Sequence, residues 1–216
     1  MSLFDLLMPS ACAGCGRYGD LLCDGCRMSL TPASRAGDCF LAADGGWVIG
    51  ESFEVAAAAF AYHGPLRRAL QRLKYVGARR AASPLAEAAL PALCRLVAIS
   101  DQLPLAPVPL HAERERVRGY NQAALLTAAL AQAAHLPWST LLVRIRATTK
   151  QHHLDRAGRL RNLRGAFAIA PKGRPPPAVI LVDDILTTSA TLDACASVLR
   201  EAGCERVFGF TIAREL

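Results

Sequence analysis

Val179-Ile180-Leu181-Val182-Asp183-Asp184-Ile185-Leu186-Thr187-Thr188-Ser189-Ala190-Thr191-Leu192 is the stretch that decides the fold of this 216-residue chain. It opens as an unbroken aliphatic run, which reads as a strand buried on both faces. Two adjacent acids follow, then five small or hydroxyl residues, then a helix. That helix shows its apolar positions at Leu192, Cys195, Val198 and Leu199 and stops at Gly203, a good left-handed cap residue. A second strand over 207–212 completes a β-α-β unit, which belongs in a parallel sheet.

The loop between strand and helix reads as a phosphate cradle. Backbone N–H groups at a helix start are unpaired and lie at the positive end of the helix dipole, so they favour an anion. Side chains as small as those of Thr187, Thr188, Ser189, Ala190 and Thr191 let the anion approach the backbone, and four of them carry hydroxyls. Neighbouring strand residues point to opposite faces, so Asp183 and Asp184 are jointly useful only at the strand's carboxyl end. There both are expected to reach outward to the vicinal hydroxyls of a ribose. The pattern asks for a sugar phosphate.

This strand, acid pair and Thr-Thr-x-x-Thr loop resembles the phosphoribosyl-pyrophosphate (PRPP) loop of type I phosphoribosyltransferases. Position 189 departs from it. Ser189 stands where that family carries Gly, the residue with unrestricted φ and the closest approach to phosphate.

Cys12-Ala13-Gly14-Cys15 and Cys23-Asp24-Gly25-Cys26 form two Cys-x-x-Cys knuckles near the start of the chain. Glycines beside the cysteines allow the tight turns that aim thiolate pairs at one ion, and four thiolates make a closed tetrahedral Zn²⁺ site. Two disulfides are the alternative, but 1–9 lacks the positive region of an export signal, and no oxidising compartment is indicated. Cys39 stands alone, while Cys94, Cys195 and Cys204 read as buried small hydrophobes. A Gly-rich joint over 38–51 sets the boundary between a zinc-binding segment, 1–47, and the main domain, 48–216.

Half of the residues are apolar, enough for a core, and acids or arginines interrupt every long apolar stretch before the ~20 residues of a membrane span. No membrane insertion and a cytoplasmic location are expected. The formal charge of +7 is concentrated in two places. Arg67, Arg68, Arg72, Lys74, Arg79 and Arg80 have no acid among them, and 144–164 holds seven cations against Asp155 alone. Charge so localised predicts an acidic ligand nearby.

Between these landmarks, 55–62 reads as a strand, 66–73 as a helix with Leu66, Leu70 and Leu73 on one face, and 84–99 as an amphipathic helix. A short proline-restricted strand covers 105–110. After it, in 111–122, Gly119 permits a sharp turn and Asn121 can cap the Ala/Leu-rich helix that follows, through about His135. Arg114, Arg116 and Arg118 sit just before that helix. Polar 148–153, with His152 and His153, reads as an exposed loop, and Pro-rich 171–177 as a linker.

Taken in order, the cysteine knuckles, Leu73-Lys74-Tyr75, Val108-Pro109-Leu110, Arg118-Gly119-Tyr120-Asn121-Gln122, Thr149-x-Gln151, Arg159-Leu160-Arg161-Asn162, Gly165-Ala166-Phe167 and the PRPP loop are similar to the ComF family. The resemblance covers almost the whole chain. It implies an α/β fold, a type I phosphoribosyltransferase-like parallel sheet flanked by helices, with a small N-terminal zinc segment. It further implies PRPP or a nucleotide with Mg²⁺ at Asp183, Asp184 and 187–191. Arg116 and Arg118 would lie near the pyrophosphate, and Lys150 and Arg159 on a loop that closes over the reaction. That family often has a further Cys-x-x-Cys before the main domain, of which Cys39 is the remnant here. The chemistry implied is displacement of pyrophosphate from ribose C1 by a nitrogen nucleophile, within a role in competence and DNA uptake. A non-catalytic factor that handles single-stranded DNA, alone or with proteins of the competence machinery, is the other reading.

Overall fold

In the computed structural model, residues 10–33, 51–75, 78–100, 103–147, 163 and 165–215 are described. Their elements run in chain order as α1 (Asp24–Met28), β1 (Ala56–Ala61), α2 (Gly64–Tyr75), a 3-10 turn (Arg79–Ala81) continuing into α3 (Ala82–Ser100), β2 (Leu105–Pro107), α4 (Ala112–Arg118) and α5 (Gln122–Ala134). There follow β3 (Leu142–Arg144), β4 (Phe167–Ile169), β5 (Ala178–Leu186), α6 (Ala190–Glu201) and β6 (Arg206–Arg214).

Four strands form one parallel sheet in the order β1-β6-β5-β2. Alternation along β5 explains its continuous aliphatic run. Ile180 and Val182 pack under α2, α3 and α5, whereas Val179 and Leu181 pack under α6 and the β3–β4 ribbon. A strand covered on both faces needs no polar side. Gly209 on β6 is where the layers come closest: a Cβ there would stand 2.8 Å from Ala56 Cβ and 2.9 Å from Leu192 Cδ1. Helix α6 ends as expected. Gly203 has φ +94°, its N–H donates to Arg200 O at 3.0 Å, and Cys204 N–H donates to Leu199 O at 2.9 Å. That pair of bonds is a Schellman cap.

The cysteine segment is docked on the main core. Cys12, Ala13, Leu22 and Cys26 are buried in the same cluster as Leu66, Leu70 and Leu73 of α2. Residues 31–33 pair along the outer edge of β1, with Ala61 N–H to Thr31 O at 2.9 Å and Ala33 N–H to Ala59 O at 3.2 Å. The boundary near 47 and the lone Cys39 lie outside the described residues, as do His152 and His153.

Several expectations change. Strand β5 extends through both acids to Leu186 instead of ending before them, because Ile185 and Leu186 keep pairing with β6. The segment before Gly119, which carried no expected element, is helix α4, with His111 as its N-cap and Gly119 at φ +79° closing it. Cys94 is exposed, not buried. The stretch Arg79–Ala98 is long and apolar enough to cross a membrane by length and composition, since the 3-10 turn runs on into α3. Its Leu85, Ala89, Leu93 and Leu96 are instead buried in the core.

Candidate functional site

The first site is the cysteine cluster. The Sγ atoms of Cys12, Cys15, Cys23 and Cys26 all lie within 4.8 Å of one another, and those of Cys15 and Cys23 are 3.8 Å apart. Zn–S bonds of about 2.3 Å in a tetrahedron place sulfurs about 3.8 Å apart, far beyond a disulfide's ~2.05 Å. The donors therefore fit a metal ion such as zinc, held by all four thiolates in a closed structural site. Burial works against the Cys12 thiolate, but the backbone N–H groups of Cys23, Cys15 and Gly14 bring it down to about 6. Burial, then hydrogen bonds that the Cys26 thiol donates to the neighbouring sulfurs, push Cys26 the other way. A bound cation removes that conflict, and its uptake releases protons.

Gly14 has no room for a side chain: a Cβ would meet Cys26 Sγ at 2.8 Å and Pro65 Cβ at 3.1 Å. Helix α2 grips the same knuckle. Arg68 Nε donates to Gly14 O at 2.6 Å and Arg72 to Cys12 O at 2.7 Å. Two cations of the first basic run are thus bound to backbone carbonyls.

The second site is the β5–α6 junction. Thr187 is exposed, Thr188 and Thr191 are half-buried, and Ser189 and Ala190 are buried. Ser189 has φ +57° and ψ −11°, a left-handed conformation that a glycine would adopt without strain. The loop thus has the backbone shape of the glycine pattern despite carrying a side chain. Its hydroxyl turns inward to Asp193 Oδ2 at 3.4 Å, while Asp193 Oδ1 accepts from the N–H groups of Glu51 at 2.9 Å and Ser52 at 3.2 Å.

The two acids are not equivalent. Asp184 points to the α2 face, is buried, and forms an ion pair with Lys74 Nζ. Burial opposes the Lys74 charge, but Asp184 and then Asp183 outweigh it and raise its affinity for the proton. Asp183 points to the opposite face, toward Arg144 of β3 and Cys195 of α6, and is half-buried. Its carboxylate accepts the Asp184 N–H at 2.8 Å. Burial, then the Asp184 charge, raise Asp183 well above the usual carboxylate range. The expectation that both acids reach outward is corrected. They sit within the strand, so alternation gives one to each face.

Arg116 on α4 is exposed, and Arg118 bonds Gln122 and lies 5.7 Å over the Tyr75 ring. Among the described residues, no hydrogen bond or ion pair joins either of them to the loop residues 187–191. Arg144 is nearer the acids, because a backbone bridge from His111 to Arg144 brings the end of β3 beside the end of β2. A cavity of about 200 Å³ opens there between Pro109, Leu110, Glu115, Asn121 and Arg144. β3 and β4 form an antiparallel ribbon, with Ile145 N–H to Ala166 O at 2.9 Å, so both ends of the intervening segment start at this end of the sheet. Lys150 and Arg159 lie outside the described residues.

Lys74, Arg144 and Asp193 are the residues that sequence reasoning passed over. Lys74 had a readable signal: it is four residues after Leu70 and eight after Leu66, so it shares their buried face. Arg144 carried none, and Asp193 takes its backbone donors, Glu51 and Ser52, from a distant segment.

No family model matches the chain. Individual proteins do. DNA utilization protein YhgH of Salmonella typhi is 34% identical over 160 residues, 72% of this chain and 70% of that protein. Competence protein F of Haemophilus influenzae is 37% identical over 111 residues, 50% of this chain and 48% of that protein, so the match spans about half the relative's length. Competence protein ComFC of Bacillus subtilis is 37% identical over 111 residues, 51% of this chain and 44% of that protein. With the knuckles, the acid pair and the loop in place, and with more than two thirds of YhgH matched, the chain belongs to the ComF family.

Proposed function

We propose that the β5–α6 junction binds PRPP or a nucleotide with Mg²⁺, and that the chain serves DNA uptake or use. The observation that carries this reading is Ser189. A residue with a side chain is held at φ +57° where an ordinary strand–helix turn has no need of it. Strain kept at one loop position is a mark of a site that requires that shape. The helix N-terminus and the loop hydroxyls suit a 5′-phosphate, and Asp183 suits a ribose hydroxyl. Mg²⁺ arriving with the pyrophosphate would offset its charge, held largely by phosphate oxygens and water. In transfer, the chain's own contribution is positioning, charge stabilisation and exclusion of water around ribose C1. The relatives' names, competence and DNA utilization, support the cellular role.

The reading in which the chain handles single-stranded DNA without catalysis has one observation in its favour. Exposed Tyr75 lies under Arg118, beside exposed Arg114 and Arg116 on α4, a combination of ring and cation that suits stacked bases. Calorimetry separates the two. Saturable binding of PRPP–Mg²⁺ with weak salt dependence supports the pocket. Binding of an oligonucleotide alone, falling steeply with salt, supports the groove.

A further inference from the structure

We infer that Lys74 is a positioning residue of the β5–α6 site, which sets the ionisation of the acid pair so that Asp183 alone meets the ligand. This rests on the sugar-phosphate reading of that site. Lys74 reaches from the last turn of α2 under the sheet to Asp184, and the pair is closed off: the Asp184 side chain is 5% exposed and that of Lys74 21%. Asp184 is therefore occupied. Asp183, on the other face, is half-buried and has no lysine partner of its own among the described residues.

The end of α2 is fixed where this requires it. Tyr120 OH donates to Leu73 O, and Arg79 stacks 4.5 Å over the Tyr120 ring while its guanidinium donates to Gly119 O at 2.9 Å. An ammonium held in this way is a built-in counter-ion for two adjacent carboxylates, which otherwise do not both ionise in a dry site. The groups facing the pair are Lys74 on α2 and Tyr62 after β1 on one side, and Arg144 on β3 and Cys195 on α6 on the other. Burial and Asp184 raise Asp183, and Lys74 opposes them. Ligand capture through Asp183 is then lost as pH falls through its folded value, and removal of the Lys74 charge moves that loss to higher pH.

The test follows the Asp183 carboxyl by carbon NMR of aspartate-labelled protein, assigned with Asp183→Asn, alongside PRPP–Mg²⁺ titrations across pH. Lys74→Met is expected to raise the Asp183 midpoint by about 1–3 pH units, and Lys74→Arg to restore it. Lys74→Met/Asp184→Asn removes both buried charges, so it remains testable if the single variant does not fold. Its midpoint is expected at or below that of the wild type. An unmoved midpoint in Lys74→Met, or a raised one in the double variant, overturns the inference. Absence of PRPP binding at every pH overturns the sugar-phosphate reading instead, while the carboxyl titration still decides the role of Lys74.

Discussion

The cysteine cluster and the acid pair are both small groups of ionisable side chains packed against helix α2, yet they are built on opposite plans. Four cysteines come from one short stretch, all of one kind, and they converge on a point that fits a cation from outside. The acids come from β5, and their cation, Lys74, is supplied by a distant helix of the same chain. The first site is a binding problem solved by local turns. The second is a packing problem solved by the sheet, which gives one acid to each face. Helix α2 holds both, through Arg68 and Arg72 for the first and Lys74 for the second.

Breaking the local site has the largest expected effect. Cys26→Ser is expected to reduce bound zinc from about one per chain to near none and to lower stability by about 4 kcal/mol or more, because Cys12, Leu22 and Cys26 are part of the core. Metal analysis and denaturant melts check this; full stability without metal would show that the knuckles hold themselves.

Breaking the ion pair comes next. Asp184→Ala leaves Lys74 buried without its partner and is expected to cost about 3–5 kcal/mol. Urea unfolding of this variant against Lys74→Met/Asp184→Ala sharpens the comparison, since the double loss is expected to be milder. Equal costs would mean that the pair is not what holds the strand end to α2.

Asp183 is expected to behave in the opposite sense. Its folded carboxyl holds a proton more tightly than the unfolded chain's, whose value is near 3.8. The stability this group contributes is therefore present at low pH and lost as pH rises from 3.8 through the folded value. Asp183→Asn removes the loss. Its melting temperature should exceed the wild type's by a margin that grows as pH rises above about 3.8. A constant margin would place the cause outside Asp183 ionisation.

The smallest effect belongs to Ser189. Ser189→Gly relieves a left-handed conformation but frees an extra backbone in the unfolded chain and removes a long hydroxyl contact. A net gain of about 0.5–1 kcal/mol is expected, with ligand affinity equal or better. Thermal melts and PRPP titrations of the variant read both. A marked loss of stability would show that the contact to Asp193 holds the loop.

The same contrast explains what was legible. The knuckles, the strand–loop–helix unit and the caps at Asn121 and Gly203 are written in a few consecutive residues, and they stand as expected. Asn121 accepts from Ala123 N–H at 2.9 Å and donates to Val108 O at 2.9 Å. Helix α4 was missed because none of its residues is buried, so it has no apolar period to read. The β3–β4 ribbon was missed because strands of three residues show no alternation. Lys74 sits in a basic run, and its place on the buried face of α2 shows only when the helix, expected over 66–73, continues to Tyr75. The sheet decides which face each acid takes, and that depended on where β5 ends.

The central claim is that one acid, Asp183, and the strained loop beside it hold a sugar phosphate. Calorimetric titration of PRPP–Mg²⁺ into wild type and Asp183→Asn, side by side, tests it most directly. One saturable site in the wild type, weakened about tenfold or more in Asp183→Asn, is the predicted result. Equal affinity in the two proteins, or no heat of binding in the wild type, would contradict it.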